Sequence, residues 1–150
     1  MFFCSLGGFD THQNQIGTHD ALMLQLGDAL AAFYNATVEL GAAEQVTTFT
    51  ASEFGRTAQA NSNNGSDHGW GAHHFVLGGA VKGGDAYGRY PVLALGGPED
   101  ANVRGVYIPS AGLDQYNATL AAWFGVGSAE LTRVFPNLGN FASPGLGFMG

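Results

Sequence analysis

Met1-Phe2-Phe3-Cys4-Ser5-Leu6-Gly7-Gly8-Phe9-Asp10-Thr11-His12 is the stretch on which the fold turns. Its first half is a short apolar run stopped by two glycines, the pattern of a buried strand. Its second half places a carboxylate and an imidazole two residues apart, just past the expected strand end. A long apolar stripe follows, with Leu22, Leu26, Leu30, Phe33, Thr37 and Leu40 spaced by three and four. That spacing predicts a helix of about six turns with one buried face, capped by Thr18 and stopped at Gly41. Gln45 to Thr50 is β-branched and aromatic, so a second strand is expected there. It delivers Ser52-Glu53-Phe54-Gly55-Arg56-Thr57 at its tip. Two strands joined by a helix should run parallel, which would bring both polar clusters to the same edge of the sheet. Open α/β sheets bind ligands at that edge.

Further along, residues 58–72 are rich in Asn, Ser and Gly and read as a loop. Pro91 to Leu95 and Val106 to Ile108 are candidate strands. Leu113 to Phe124 is a helix with Leu113, Tyr116, Leu120, Trp123 and Phe124 on one face. A shorter helix follows Ser128 and ends before Pro136. The expected fold class is therefore α/β, a mostly parallel sheet flanked by helices, in one domain spanning 1–150.

Composition narrows the function. The net charge is -7, with only five Lys and Arg. A nucleic-acid footprint is excluded on that balance, as is attraction to an anionic membrane surface. No run of about 18 apolar residues could span a bilayer. The single cysteine, Cys4, allows neither an internal disulfide nor a Cys-built zinc site. All five histidines fall between residues 12 and 74. Asp10, His12, Glu53, Asp67 and His68 are the candidate metal ligands, with His73 and His74 as possible further ones. His73 and His74 point apart if extended, so at most one of them would ligate. Oxygen and nitrogen donors without sulfur suit Zn, Mn or Fe and, with fewer His, Ca or Mg. Arg56 could fork onto an anionic oxygen beside that cation. The plainer alternatives are an Asx turn at Asp10, a Glu53–Arg56 ion pair, and a surface loop around Asp67-His68. Calcium binding alone, suggested by the acidic charge, fits the histidines poorly.

Gly7-Gly8-Phe9-Asp10-Thr11-His12, Ser52 to Thr57, Asn64 to Phe75 (NGSDHGWGAHHF), Gly78 to Gly84 and the late pair 114–125 and 134–138 resemble the bacterial domain of unknown function 1501. That family is grouped with alkaline phosphatases and sulfatases. The resemblance implies an alkaline-phosphatase-like fold, a divalent metal site and export from the cell. It also implies a small anionic ester as substrate, with Asp10 and His12 as one metal's ligand pair. The Asp10-x-His12 spacing is shorter than the superfamily's Asp-x-x-x-His. In that superfamily an earlier strand supplies the nucleophile. The chain is accordingly expected to be the C-terminal part of the domain, inactive without its N-terminal half. A non-catalytic metal-binding or structural protein of the same fold is the alternative.

Overall fold

The computed structural model describes residues 1–150. Helix α1 spans Gln15–Glu39, and a single 3-10 turn at Ala43–Gln45 leads to strand β1, Thr47–Phe49. Strands β2 (Gly55–Ala60), β3 (Ser66–Gly69) and β4 (Val76–Gly78) follow. Helices α2 (Leu113–Trp123) and α3 (Ser128–Val134) and a 3-10 turn at Pro136–Asn140 complete the chain.

The expected parallel sheet does not form. The strands make two separate antiparallel pairs, β1 with β4 and β2 with β3. Phe2 to Leu6 is irregular, and Phe2 and Phe3 are almost fully exposed. β1 therefore has no neighbour across a helix crossover. It pairs instead with β4, placing Thr47 opposite Gly78 and Phe49 opposite Val76. An alkaline-phosphatase-like architecture is not what this chain adopts.

The candidate strand at 91–95 is also irregular, and 106–108 contributes only an isolated bridge between Asp100 and Tyr107. The reason is local. Asp100 accepts backbone N–H groups from Gly96, Asn102, Gly105 and Val106 at 2.8–3.2 Å. Burial pushes its carboxyl pKa up, but those four donors outweigh burial and hold it below the usual value. Val106 thus gives its N–H to a carboxylate instead of a ladder, and Val92 gives its own to Glu99 Oε2.

The helices follow the sequence more closely. α1 stops at Gly41, whose φ is 66°. It begins earlier than Thr18, because the loop ahead of β3 caps it: Asn14 N–H donates to Asn63 O at 3.1 Å and Gln15 N–H to Asn64 O at 2.9 Å. Of its apolar stripe only Thr37 is fully buried. On α2 the buried face is Gln115, Tyr116, Ala118, Thr119 and Leu120, while Leu113 and Phe124 stay exposed. Tyr116, Leu120 and Phe148 form the core cluster, with Val76, Leu146 and Met149 packed against it. No helix is long and apolar enough to cross a membrane.

Tyr116 ties this core to the sheet: its hydroxyl donates to Thr50 O at 3.0 Å. Burial raises its pKa to about 12, so the phenol keeps its proton. Tyr116→Phe removes the donor and should cost about 1 kcal/mol. Urea denaturation should show this as a lower midpoint at unchanged slope.

Candidate metal centre

The site is built at the paired ends of β2 and β3. Their register sets Arg56 opposite His68, so both side chains leave the same face. Between Arg56 and Ala60 the ladder slips by a bulge. Thr57 Oγ1 bridges it, donating to Gln59 O at 3.0 Å and accepting Asp67 N–H at 3.1 Å. The segment carrying Asp10 and His12 is docked on this pair by the isolated Gln13–Asn64 bridge and by Ser66 N–H donating to Thr11 O at 3.2 Å. Gly65 makes that docking possible. A Cβ there would lie 2.1 Å from the His12 carbonyl carbon and 2.5 Å from Gln13 N.

Three donor atoms converge. Asp10 Oδ1 lies 3.0 Å from His12 Nε2 and 3.0 Å from His68 Nε2, and the two ring nitrogens are 3.2 Å apart. All three residues are exposed. For a cation about 2.1 Å from each ligand, adjacent octahedral ligands would stand about 3.0 Å apart and tetrahedral ones about 3.4 Å. The observed triangle, 3.0, 3.0 and 3.2 Å, has the spacing of ligands around one such ion.

The surroundings hold the three in place. Arg56 Nη1 donates to Asp10 Oδ1, its Nε to Ser66 Oγ at 3.1 Å, and its Nη2 to Ser66 O. Ser66 Oγ in turn donates to Gln15 Oε1 at 2.6 Å, linking the site to the start of α1. The fork expected to grasp an outside anion is thus committed inside the protein, and Arg56 acts as the support of Asp10. Phe54 stacks on His68, with ring centroids 3.7 Å apart and planes 15° apart.

Asp67 stands one layer out. Its Oδ1 is 3.4 Å from His12 Nδ1 and accepts Asn61 Nδ2 at 3.2 Å; its Oδ2 accepts Arg104 Nη2 at 2.7 Å. The same Asn61 amide also donates to His12 O at 2.9 Å. Glu53 is exposed, outside the triangle, and makes no ion pair with Arg56. His73 stacks on Tyr90 and His74 packs against Tyr116. Burial first, then the neighbouring His73, lower the His74 pKa. Of the seven candidate ligands, then, Asp10, His12 and His68 come together, with Asp67 adjacent.

Phe54, Asn61, Ser66 and Arg104 carry no pattern that marks them as site residues in advance. For Phe54 the available signal is its place between Glu53 and Arg56. Asn61 and Ser66 resemble ordinary loop residues, and Arg104 lies 30 residues beyond the last histidine.

The profile of the family described as "Protein of unknown function (DUF1501)" matches residues 1–104. These residues include the whole site, and the match covers more than half of the chain, which therefore belongs to this family. No curated protein and no solved structure matches the chain.

Two expectations follow. Gly65→Ala forces the His12 backbone away and should cost about 1–3 kcal/mol, seen as a lower melting temperature. The second concerns acid. The Arg56 guanidinium, then His68 and His12, hold the Asp10 carboxyl below its ordinary 3.8; Asn61, then Arg104, do the same for Asp67. The unfolded chain therefore binds these protons more readily than the folded one. Their stabilisation is present above pH 3.8 and is lost as pH falls through and below it. Melting temperatures measured from pH 7 to pH 2 should fall less steeply for Asp10→Asn than for the wild type.

Proposed function

We propose that this DUF1501 chain binds a divalent metal ion through Asp10, His12 and His68, and that the metal serves hydrolysis of a small phosphate or sulfate ester. The observation behind this reading is the triangle of Asp10 Oδ1, His12 Nε2 and His68 Nε2, with sides of 3.0, 3.0 and 3.2 Å. Two imidazoles and one carboxylate suit zinc, manganese or iron better than calcium or magnesium, which prefer oxygen. The three donors lie on an exposed surface, and a site with three protein ligands and room for more has the form of a catalytic rather than a structural centre. A cation held there supplies Lewis acidity to an anionic oxygen.

The chain's own residues have narrower tasks. Asp10 provides the negative charge, kept ionised by Arg56. His12 and His68 provide neutral nitrogen donors. The hydroxyls around the site are all engaged: Thr11 Oγ1 donates to Phe9 O, Ser52 Oγ to Phe54 O, Thr57 Oγ1 to Gln59 O and Ser66 Oγ to Gln15. None donates to a histidine or carboxylate that could serve as its general base. An ester would therefore be held on the metal, not on Arg56.

Elemental analysis after purification in zinc, manganese or iron should give about one equivalent of metal, lost in Asp10→Ala/His12→Ala. Unchanged metal content in the double variant would remove the site. Inorganic phosphate should bind the metal-loaded protein and not the metal-stripped one. Equal phosphate binding with and without metal would overturn the ester reading. Tightly bound metal with no phosphate affinity would favour the non-catalytic alternative.

A further inference from the structure

His12 presents two nitrogens to two different partners. Nε2 faces Asp10 and His68; Nδ1 faces the Asp67 carboxylate at 3.4 Å. A neutral imidazole carries one proton, so its position decides which nitrogen can ligate. Asp67 is itself held at three points. Asn61 bridges from the His12 carbonyl oxygen to Asp67 Oδ1, Arg104 holds Oδ2, and Thr57 Oγ1 accepts the Asp67 backbone N–H.

We propose that Asp67 is a positioning residue: it holds His12 in the Nδ1–H tautomer and so turns the Nε2 lone pair toward Asp10 and His68. This rests on the metal reading above for its purpose, though not for its geometry. Donation of a ligating histidine's second N–H to a carboxylate fixes ring orientation and raises ligand basicity. Asp67 was a candidate ligand by sequence. Its placement on the far side of the His12 ring from Asp10 assigns it this supporting task. Arg104 contributes by anchoring Asp67, which ties the irregular segment after residue 91 to the site.

The test reads tautomer and affinity separately. Nitrogen-15 spectra of metal-free protein at pH 8.5, with the His12 signals assigned by His12→Gln, should show the Nδ1–H form. Asp67→Ala should move His12 toward the Nε2–H form, while Asp67→Asn, which retains a carbonyl acceptor, should shift it less. Zinc titration should show affinity weakened about 10–100-fold in Asp67→Ala and less in Asp67→Asn. A wild-type His12 carrying its proton on Nε2, or a tautomer unmoved in both variants, would overturn the proposal. Zinc affinity equal to wild type in both variants would overturn it as well. If the wild type binds no zinc, the metal reading fails, and the nitrogen-15 spectra still decide the tautomer. Far-ultraviolet circular dichroism confirms that each variant is folded; should Asp67→Ala unfold, Asp67→Asn alone decides by the same two readouts.

Discussion

The register of β2 on β3 is the constraint from which the rest of the site follows. Arg56 opposite His68 gives a cation and an imidazole on one face of a narrow two-stranded ribbon. Neither would stay there unaided. Arg56 is pinned by Ser66, and His68 is stacked on Phe54. Asp10 then settles between them, drawn by the guanidinium and 3.0 Å from His68 Nε2. A slip of this ladder by one residue would send His68 to the opposite face and leave Asp10 with Arg56 alone. The bulge beyond Arg56 and the bond between Thr57 Oγ1 and Asp67 N–H hold the register where it is.

The same constraint accounts for how α1 begins. The loop between β2 and β3 offers the Asn63 and Asn64 carbonyls to the first N–H groups of the helix, and Ser66 holds Gln15 from the side. A helix without a side-chain cap, entered through Asn14 at a φ of 46°, is stabilised by contacts more than 45 residues away in sequence. Helix and Asp10–His12–His68 cluster consequently share one support. Displacing β3 would loosen the start of α1 as well as that cluster.

Legibility in the sequence divides along the range of the interactions. α1, α2 and the stop at Gly41 depend on local periodicity and on a left-handed glycine, so they could be read directly. The convergence of Asp10, His12 and His68 was also legible, because every imidazole lies in the first half of the chain and acids flank them. The mode of convergence was not. A parallel sheet was the expected means of bringing the clusters together; an antiparallel ribbon and a docked loop do it. Period-two patterns do not distinguish parallel from antiparallel partners, and an apolar run such as Phe2 to Leu6 does not identify what would cover it. Glu53 illustrates the cost: placed at the tip of an expected strand it belonged in the site, yet it is exposed outside it. Arg104 illustrates the opposite case, a long-range partner of Asp67 that no local pattern marks.

The exposed apolar surface follows the same logic. A compact protein of 15.6 kDa would have an accessible surface of about 7,200 Å², and this chain has 9792 Å². The excess coincides with Phe2, Phe3, Ile16, Leu24 and Phe33, all well exposed. With only 11% charged residues, the chain lacks the polar coat that would make such a surface indifferent to contact. The Asp10–His12–His68 triangle is equally exposed, but a charge-assisted bond from Arg56 holds Asp10 directly, and Arg104 holds Asp67 beside His12. Exposed pairs of this kind add little stability, about 0–1 kcal/mol each, but the Arg56 fork and the Arg104 anchor fix direction as well as distance. The site can therefore keep its shape on a part of the molecule where apolar packing contributes little, which is why the most specific geometry in the chain lies outside its small core.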